Sequence, residues 1–377
     1  MFRTVYVLVA VLFLSACGGK SNTVKPEPLV KFEPTAKVKK IWSRDFGKLD
    51  SEAFIKISPY IYQDLVFTSD LKGKVSAYNI DNGKRLWRVK LKRKVTGAVG
   101  FGDGNVYLGT KKGIIIALDS ATGKQRWQQK VSSEVLAPPL SDDGVVVVQS
   151  ADGKIIALAS GDGKPLWSYH RREPTLSLRG TSTPILFQGI VVTGFAGGTI
   201  VAIRLSDGRV LWEIPVTYPR GKNEIERLVD VDVAPVVGGE LMFAASYQGK
   251  LVAINLRTGR QQWSKKFSTY SGMDLDSDNI YLSDDTGNVV AFDQKTGASI
   301  WKQSLFKGRY LSAPVTLNEY VVVGDLEGYI HILAKEDGSQ VARYRLGRDP
   351  INVKPIVRNG TLFVSNLDGD LAALHVE

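Results

Sequence analysis

Short apolar runs alternate with polar, glycine-containing turns along most of the chain. In one example, GIIIAL begins at Gly113 and is followed by a turn that contains Asp119 and Gly123, and then by Trp127. Glycine takes the positive φ that closes a tight hairpin, and Asp at the turn entry accepts hydrogen bonds from backbone N–H groups ahead of it. Runs bounded in this way predict β-strands joined by tight turns, and therefore an all-β chain.

The apolar run recurs at nearly constant intervals. Its copies share a Gly followed four positions later by an apolar residue, usually Ala. They are GKVSAY at Gly73, GIIIAL at Gly113, GKIIAL at Gly153, GTIVAI at Gly198, GKLVAI at Gly249, GNVVAF at Gly287, GYIHIL at Gly328 and GDLAAL at Gly369. The intervals are 40, 40, 45, 51, 38, 41 and 41 residues. Periods near 40 residues are typical of β-propellers.

A tryptophan follows the run in most repeats, four positions after a second Gly. The tryptophans are Trp87, Trp127, Trp167, Trp212, Trp263 and Trp301, and Ala342 takes this position after Gly338. Tryptophan is large for a thin sheet but fits where neighbouring sheets pack. We expect each Gly–Trp unit to be the hairpin between the third and fourth strands of a blade, with its tryptophan docked on the next blade. Ala342 would weaken one such contact.

Four strand signals can be read within one period. In the repeat around Gly153 they are EVLAPPL near Pro138, VVVVQS from Val145, KIIAL, and the segment that contains Trp167. The ends of the repeat region complement each other, because the last run has no tryptophan strand and Trp42 has no run before it. The sequence therefore predicts an eight-bladed β-propeller over residues 40–377, with four antiparallel strands per blade. The N-terminal strand would close the ring by pairing with the last blade.

The N-terminus predicts export. Arg3 precedes ten apolar residues from Val5 to Leu14, too few to span a bilayer, and the segment LSACG follows. Residues 1–16 are interpreted as a signal peptide. The segment resembles a bacterial lipobox, which implies that Cys17, the one cysteine of the chain, is acylated. Gly18 stands where lipoproteins retained at the inner membrane often carry Asp, so the resemblance implies the outer membrane.

Residues 17–39 are polar, contain proline and show no periodicity. We interpret them as a lipidated flexible tether with an average reach of roughly 25 Å.

The charged and metal-ligating residues of the sequence favour no enzyme class. The net charge is +11, but Lys and Arg are spread over the chain, so we expect no nucleic-acid partner. His170, His331 and His375 lack a metal-ligand spacing. The DLDSD segment from Asp274 resembles the start of a calcium loop but lacks the required Gly and Glu, which favours a solvated turn. We expect no metal site and no cofactor.

The Gly–Trp hairpin resembles the repeat of pyrroloquinoline-quinone (PQQ) dehydrogenase propellers, over about residues 40–377. Those enzymes commonly carry a pair of adjacent cysteines and large loops around a calcium site, which this sequence lacks. A periplasmic PQQ-dependent quinoprotein is the alternative function.

Two consecutive connectors between blades are extended. From the tryptophan to the Pro that opens the next blade, Trp167 to Pro184 spans 17 residues and Trp212 to Pro235 spans 23, against 11 from Trp127 to Pro138. Insertions in repeat proteins often mark the binding face. The first contains Leu176, Leu178 and Arg179, and the second contains Asp230 and Asp232. Two hypotheses remain open. Either these residues form an interface, or the leucines tuck into a blade and Arg179 pairs with Asp230 or Asp232.

The connectors LSLRGTSTP and ERLVDVDVAP, the lipobox and the propeller together resemble the BamB family, the propeller subunits of the outer-membrane β-barrel assembly (Bam) machinery. The resemblance implies a non-enzymatic scaffold lipoprotein on the periplasmic face of the outer membrane. Its partners would be the POTRA domains of BamA, contacted by Leu176, Leu178, Arg179, Asp230 and Asp232, and other Bam subunits. Unfolded outer-membrane protein precursors are a further partner class, through strand addition to an outer blade edge, although Lys and Arg on the outer strands oppose this.

Overall fold

The computed structural model describes residues 25–49, 56–172, 182–218 and 229–377. Within these ranges the chain forms eight four-stranded antiparallel sheets. The strands in chain order are β1 Val38–Asp45, β2 Tyr60–Tyr62, β3 Leu65–Ser69, β4 Lys74–Asn79, β5 Arg85–Lys90, β6 Gly100–Gly102, β7 Asn105–Gly109, β8 Ile114–Asp119, β9 Gln125–Lys130, β10 Leu140–Asp142, β11 Val145–Ser150, β12 Lys154–Ala159, β13 Pro165–His170, β14 Ile185–Phe187, β15 Ile190–Phe195, β16 Thr199–Arg204, β17 Val210–Pro215, β18 Val236–Gly238, β19 Leu241–Ala245, β20 Lys250–Asn255, β21 Gln261–Lys266, β22 Met273–Leu275, β23 Asn279–Ser283, β24 Val289–Asp293, β25 Ser299–Gln303, β26 Val315–Leu317, β27 Tyr320–Gly324, β28 Tyr329–Ala334, β29 Gln340–Arg345, β30 Ile356–Arg358, β31 Thr361–Ser365 and β32 Asp370–Val376.

Each sheet is one blade, and the ring closes by pairing the two ends of the repeat region. Blade 1 is β2–β5, and the following blades continue in groups of four up to blade 7, β26–β29. Blade 8 has the order β1-β32-β31-β30, so its outer strand comes from the N-terminal part of the chain. Trp42 lies opposite Ala373 across this pair. The predicted eight-bladed propeller and its closure are confirmed.

The burial of the strands follows their position in the blade. Second and third strands are buried on both faces, as in β7 and β8, because each blade is covered by a neighbour on either side. Fourth strands such as β9 expose most of their residues and form the outer wall. Buried apolar residues form eight clusters in the described ranges, and each joins two neighbouring blades. The core is therefore a ring of seams between blades.

The first strand of blade 3 begins later than the sequence predicted. In blade 3 it was expected within EVLAPPL, whereas β10 begins at Leu140, after both prolines. Proline has no N–H to donate to a ladder, which accounts for the later start. Neighbouring first strands, such as β6 and β10, contact each other near the ring axis.

Residues 25–37, within the predicted tether, contact the propeller. Glu27 N–H donates to Lys307 O at 2.9 Å, and Thr35 N–H donates to Val341 O at 2.9 Å. Lys37 then exchanges backbone hydrogen bonds with Glu377 as β1 begins. This segment, which we call the N-terminal strap, crosses the outer surface of blade 7 from one face of the ring to the other.

The turns of the blades define two faces. The inter-blade connectors and the turns between second and third strands share one face, which we call the connector face. The hairpins between third and fourth strands, such as the turn at Gly123, lie on the opposite face. The described ends of both extended connectors and the outer end of the strap at Glu27 therefore lie on the connector face.

Candidate functional site

The repeated tryptophans lie between blades, and each contacts the next blade in the same way. The indole N–H donates to a backbone carbonyl at or just after the end of the neighbouring third strand. The acceptors for Trp42, Trp87, Trp127, Trp167, Trp212, Trp263 and Trp301 are the carbonyls of Ile80, Ser120, Ser160, Leu205, Leu256, Gln294 and Lys335, at 2.7–2.9 Å. The seam is thus both apolar and hydrogen-bonded.

The indole ring packs on the glycine of the neighbouring hairpin. Gly123 has φ +71°, and a Cβ there would lie 2.7 Å from the Trp87 ring. Only glycine meets both demands, a left-handed backbone and close contact with the indole. Within its own blade the tryptophan faces a small residue, as Ala117 lies opposite Trp127. The Ala, Gly and Trp of the repeat are therefore one packing unit.

Blade 7 departs from this unit in two compensating ways. Ala342 replaces the tryptophan, and Ile332 replaces the small residue opposite it. No hairpin joins β32 to β1, so the neighbouring blade offers no hairpin glycine there. Ala36 of the strap packs in the same cluster, and its N–H donates to Val341 O at 3.2 Å. Ala36 and Ile332 thus occupy the space around Ala342, and the expectation that Ala342 weakens this contact stays a prediction.

Restoring the repeat pattern at this position should destabilise the protein. We expect Ala342→Trp to lower the free energy of unfolding by about 1–3 kcal/mol, because Ile332 and Ala36 already fill the space. Chemical denaturation measures the change. The double variant Ile332→Ala/Ala342→Trp should recover part of the loss. A single variant as stable as the wild type would contradict this account.

The residues predicted to bind BamA are only partly described by the structure. Leu176, Leu178 and Arg179 lie outside the described residues, as does Cys17. Asp230 is 2% exposed, and its Oδ1 accepts a hydrogen bond from Gly197 N–H at 3.1 Å. Asp230 O also accepts from Tyr247 N–H. Asp230 therefore connects its connector to blades 4 and 5.

Asp232 is half-buried and lies near a lysine from the far side of the ring. Lys56, in the connector between β1 and β2, donates from Nζ to Tyr270 O at 3.0 Å. The Lys56 side chain as a whole is exposed, but the surrounding protein desolvates its ammonium group and lowers its pKa. The negative charge of Asp232 opposes this shift. This electrostatic influence joins residues 176 positions apart in the chain, so it could not be predicted from the sequence.

A cavity of about 1040 Å³ opens on the connector face. The connectors on either side of blades 6, 7, 8 and 1 line it, including those that contain Tyr270, Tyr310 and Asp349, so it lies on that part of the connector face. We call it the cationic mouth. Its charged lining residues are Lys48, Lys56, Lys72, Lys92, Arg93, Lys94 and Asp349. Six cationic side chains therefore accompany one acidic side chain.

A buried charge cluster holds the outer end of the strap. Arg309 is 2% exposed, and its Nε donates to Asp325 Oδ2 at 2.8 Å, while Nη1 donates to Glu27 O at 2.9 Å. His331 Nε2 lies 2.9 Å from the same carboxylate oxygen. Burial opposes ionisation of Asp325, but its hydrogen bond to His331 and its other partners outweigh that effect and hold its pKa below the usual value.

The described ranges contain neither a metal-binding cluster nor a helix suited to span a membrane. No group of three or more His, Cys, Asp or Glu side chains there could hold a metal ion. In the DLDSD segment, Asp276 Oδ1 accepts N–H bonds from Asp278 and Asn279 and so caps a turn. Among the described residues no helix is long and apolar enough to cross a membrane.

Comparison with known proteins assigns the family. The family model described as "Outer membrane protein assembly factor BamB" matches residues 71–303 and 285–377. The outer membrane protein assembly factor BamB of Pseudomonas aeruginosa is 41% identical over 376 residues, covering 99% of each chain. The chain belongs to the BamB family.

Solved structures agree with this assignment. The crystal structure of BamB from Moraxella catarrhalis gives a TM-score of 0.82 at 29% identity, covering 90% of this chain and 100% of that one. A quinohemoprotein alcohol dehydrogenase from Pseudomonas putida HK5 gives 0.70 at 12% identity, over 90% of this chain and 76% of its own, which reflects the shared fold alone. BamB family membership identifies an assembly factor and not an enzyme, so the alternative of a PQQ-dependent quinoprotein is excluded.

Proposed function

We propose that this protein is an outer-membrane lipoprotein that supports β-barrel protein assembly as a scaffold bound to the POTRA domains of BamA. Full-length membership of the BamB family carries the proposal, since the P. aeruginosa relative is an outer membrane protein assembly factor. In this proposal residues 1–16 are removed, and acylated Cys17 holds the chain to the periplasmic face of the outer membrane. The scaffold also contacts other Bam subunits.

The two extended connectors form the proposed BamA-binding surface. They join consecutive blades, β13 to β14 and β17 to β18, so their described ends are neighbours on the connector face. We assign direct contacts to Leu176, Leu178, Arg179 and the half-buried Asp232. Asp230 supports the surface from beneath, because its carboxylate is buried and bonded to Gly197. Apolar residues flanked by Arg are typical of interface centres.

The surface can be tested by co-purification. We expect Leu176→Ala/Leu178→Ala/Arg179→Ala to weaken capture of BamA by at least about tenfold, since anchor residues carry most of the binding energy of an interface. BamA recovered with the affinity-tagged protein from detergent-solubilised outer membranes gives the measurement.

A matched control variant distinguishes loss of this surface from the general effect of truncating exposed side chains. Leu86, Leu166 and Arg85 are exposed on the outer strands β5 and β13, away from the connector face. The variant Leu86→Ala/Leu166→Ala/Arg85→Ala should retain BamA. If the connector variant folds and captures BamA as the wild type does, the assigned surface is wrong.

A further inference from the structure

The cationic mouth is separate from the proposed BamA-binding connectors. Its cationic residues come from blade 1 and the connectors on either side of it, whereas the BamA-binding connectors leave blades 3 and 4. Lys72 lies in the turn between β3 and β4, and Lys92 lies in the connector from β5 to β6; both are exposed. Lys48 is also exposed and lies 3.2 Å from Asp368. This half of the connector face therefore presents positive charge to solvent.

The lining contains donors that suit a phosphate group. Lysine and arginine side chains line it, together with Tyr270 and Tyr310. Leu71, Leu311 and Leu367 line it as well, but each is at most 8% exposed and belongs to the core between blades. A phosphate group is recognised by ammonium and guanidinium donors, so the charged residues carry the recognition.

The outer end of the strap lies on this same face. Glu27 is bonded to Lys307 and Arg309, and Tyr310, next in the chain, lines the mouth. Arg343 reinforces the strap, since its Nη1 donates to Val30 O at 3.2 Å and its guanidinium lies 5.4 Å from the Phe32 ring centroid. The strap is thus held at several points along its length.

The docked strap limits how far the propeller can stand from its anchor. Ten positions separate Cys17 from Glu27, which span at most about 35 Å fully extended. If the chain were free up to β1 at Val38, the limit would be about 70 Å. The anchored end therefore leaves from the connector face, and Glu27 lies within about 35 Å of the leaflet. This limit rests on the proposed acylation of Cys17; the charge of the mouth does not.

We propose that the cationic mouth binds the headgroups of anionic phospholipids at the membrane surface. The anionic surface attracts basic residues within about a Debye length, and each contributes on the order of 1 kcal/mol. The propeller would then contact the bilayer through blades 6 to 8 and blade 1. Blades 3 to 5 would remain available to BamA.

The test measures co-sedimentation with vesicles, without BamA and without the acyl group. The probe is the mature chain with Cys17→Ser, mixed with phosphatidylcholine vesicles with or without phosphatidylglycerol. We expect binding only with phosphatidylglycerol. We expect Lys72→Glu/Lys92→Glu to weaken it by more than about tenfold.

The control reverses the same number of charges on the opposite face. Lys84 and Lys124 are exposed lysines in third-to-fourth strand hairpins of blades 1 and 2. The variant Lys84→Glu/Lys124→Glu has the same net charge as the test variant and should bind these vesicles nearly as the wild type does. If both variants weakened vesicle binding equally, the loss would follow from the overall charge of the protein, and the proposal would be overturned.

Two other outcomes also overturn it. One is binding to phosphatidylcholine alone at the same level. The other is a mouth variant that keeps vesicle binding but no longer captures BamA, which would make the mouth a protein interface. Because the vesicle assay contains no BamA, loss of the proposed BamA surface would leave its result unchanged.

Discussion

Replacing Asp325 with Ala should lower the free energy of unfolding by about 3–5 kcal/mol, because it leaves the buried Arg309 guanidinium without its innermost carboxylate. Asp325 is 0% exposed and faces Arg309 and His331 at once. Glu327 also contacts Arg309, but its side chain is 43% exposed, so it cannot replace the buried charge. Chemical denaturation of wild type and variant gives the difference.

A residue at the equivalent turn of blade 6 provides the control. Asp284 also follows a second strand, and its Oδ1 accepts N–H bonds from Thr286 and Asn288, as that of Asp325 does from Glu327 and Tyr329. Asp284 has no buried cation beside it among the described contacts. Asp284→Ala should therefore cost only about 1 kcal/mol, the usual net value of lost turn hydrogen bonds. Equal losses at both positions would show that the buried charge contributes nothing.

The cluster has a second consequence for the strap. Arg309 donates to Glu27 O, so loss of the Asp325 carboxylate should also loosen the outer end of the strap. Amide hydrogen exchange at Glu27, whose N–H donates to Lys307 O, should then be faster in Asp325→Ala than in Asp284→Ala.

Replacing Trp127 with Ala should lower the free energy of unfolding by about 3–5 kcal/mol, because it opens a void between blades 2 and 3. Trp127 is 7% exposed, packs on Gly163 of the next blade and donates to Ser160 O at 2.8 Å. Trp127→Phe keeps much of the packing but loses the N–H donor, so its loss should be smaller. Denaturation monitored by circular dichroism compares them.

An exposed residue provides the control for the Trp127 variants. Leu166 is 51% exposed on β13 of the adjoining blade, so Leu166→Ala should change the free energy of unfolding by less than about 0.5 kcal/mol. A Trp127→Ala variant as stable as Leu166→Ala would mean that the repeat tryptophans do not hold the blades together.

The blade count could be predicted because it depends on local, repeated signals, and the closure of the ring because the two ends of the repeat region complement each other. Each Gly, Ala and Trp acts within one hairpin or on the next blade, so the packing unit is visible in a short stretch of chain. The first strands were less predictable. Their extent depends on contacts near the ring axis and on where the prolines of segments such as EVLAPPL allow pairing, as the late start of β10 shows.

The sequence by itself determined the all-β fold, the eight repeats and the two long connectors, since spacing along the chain encodes them. Only the tertiary structure decided what surrounds Ala342, that Asp230 is buried, and that Lys56 meets Tyr270 across the ring. It also decided that Arg309 holds the strap and that lysines from separate connectors form one mouth. These features join residues far apart in the chain, and such pairs become neighbours only when the ring closes.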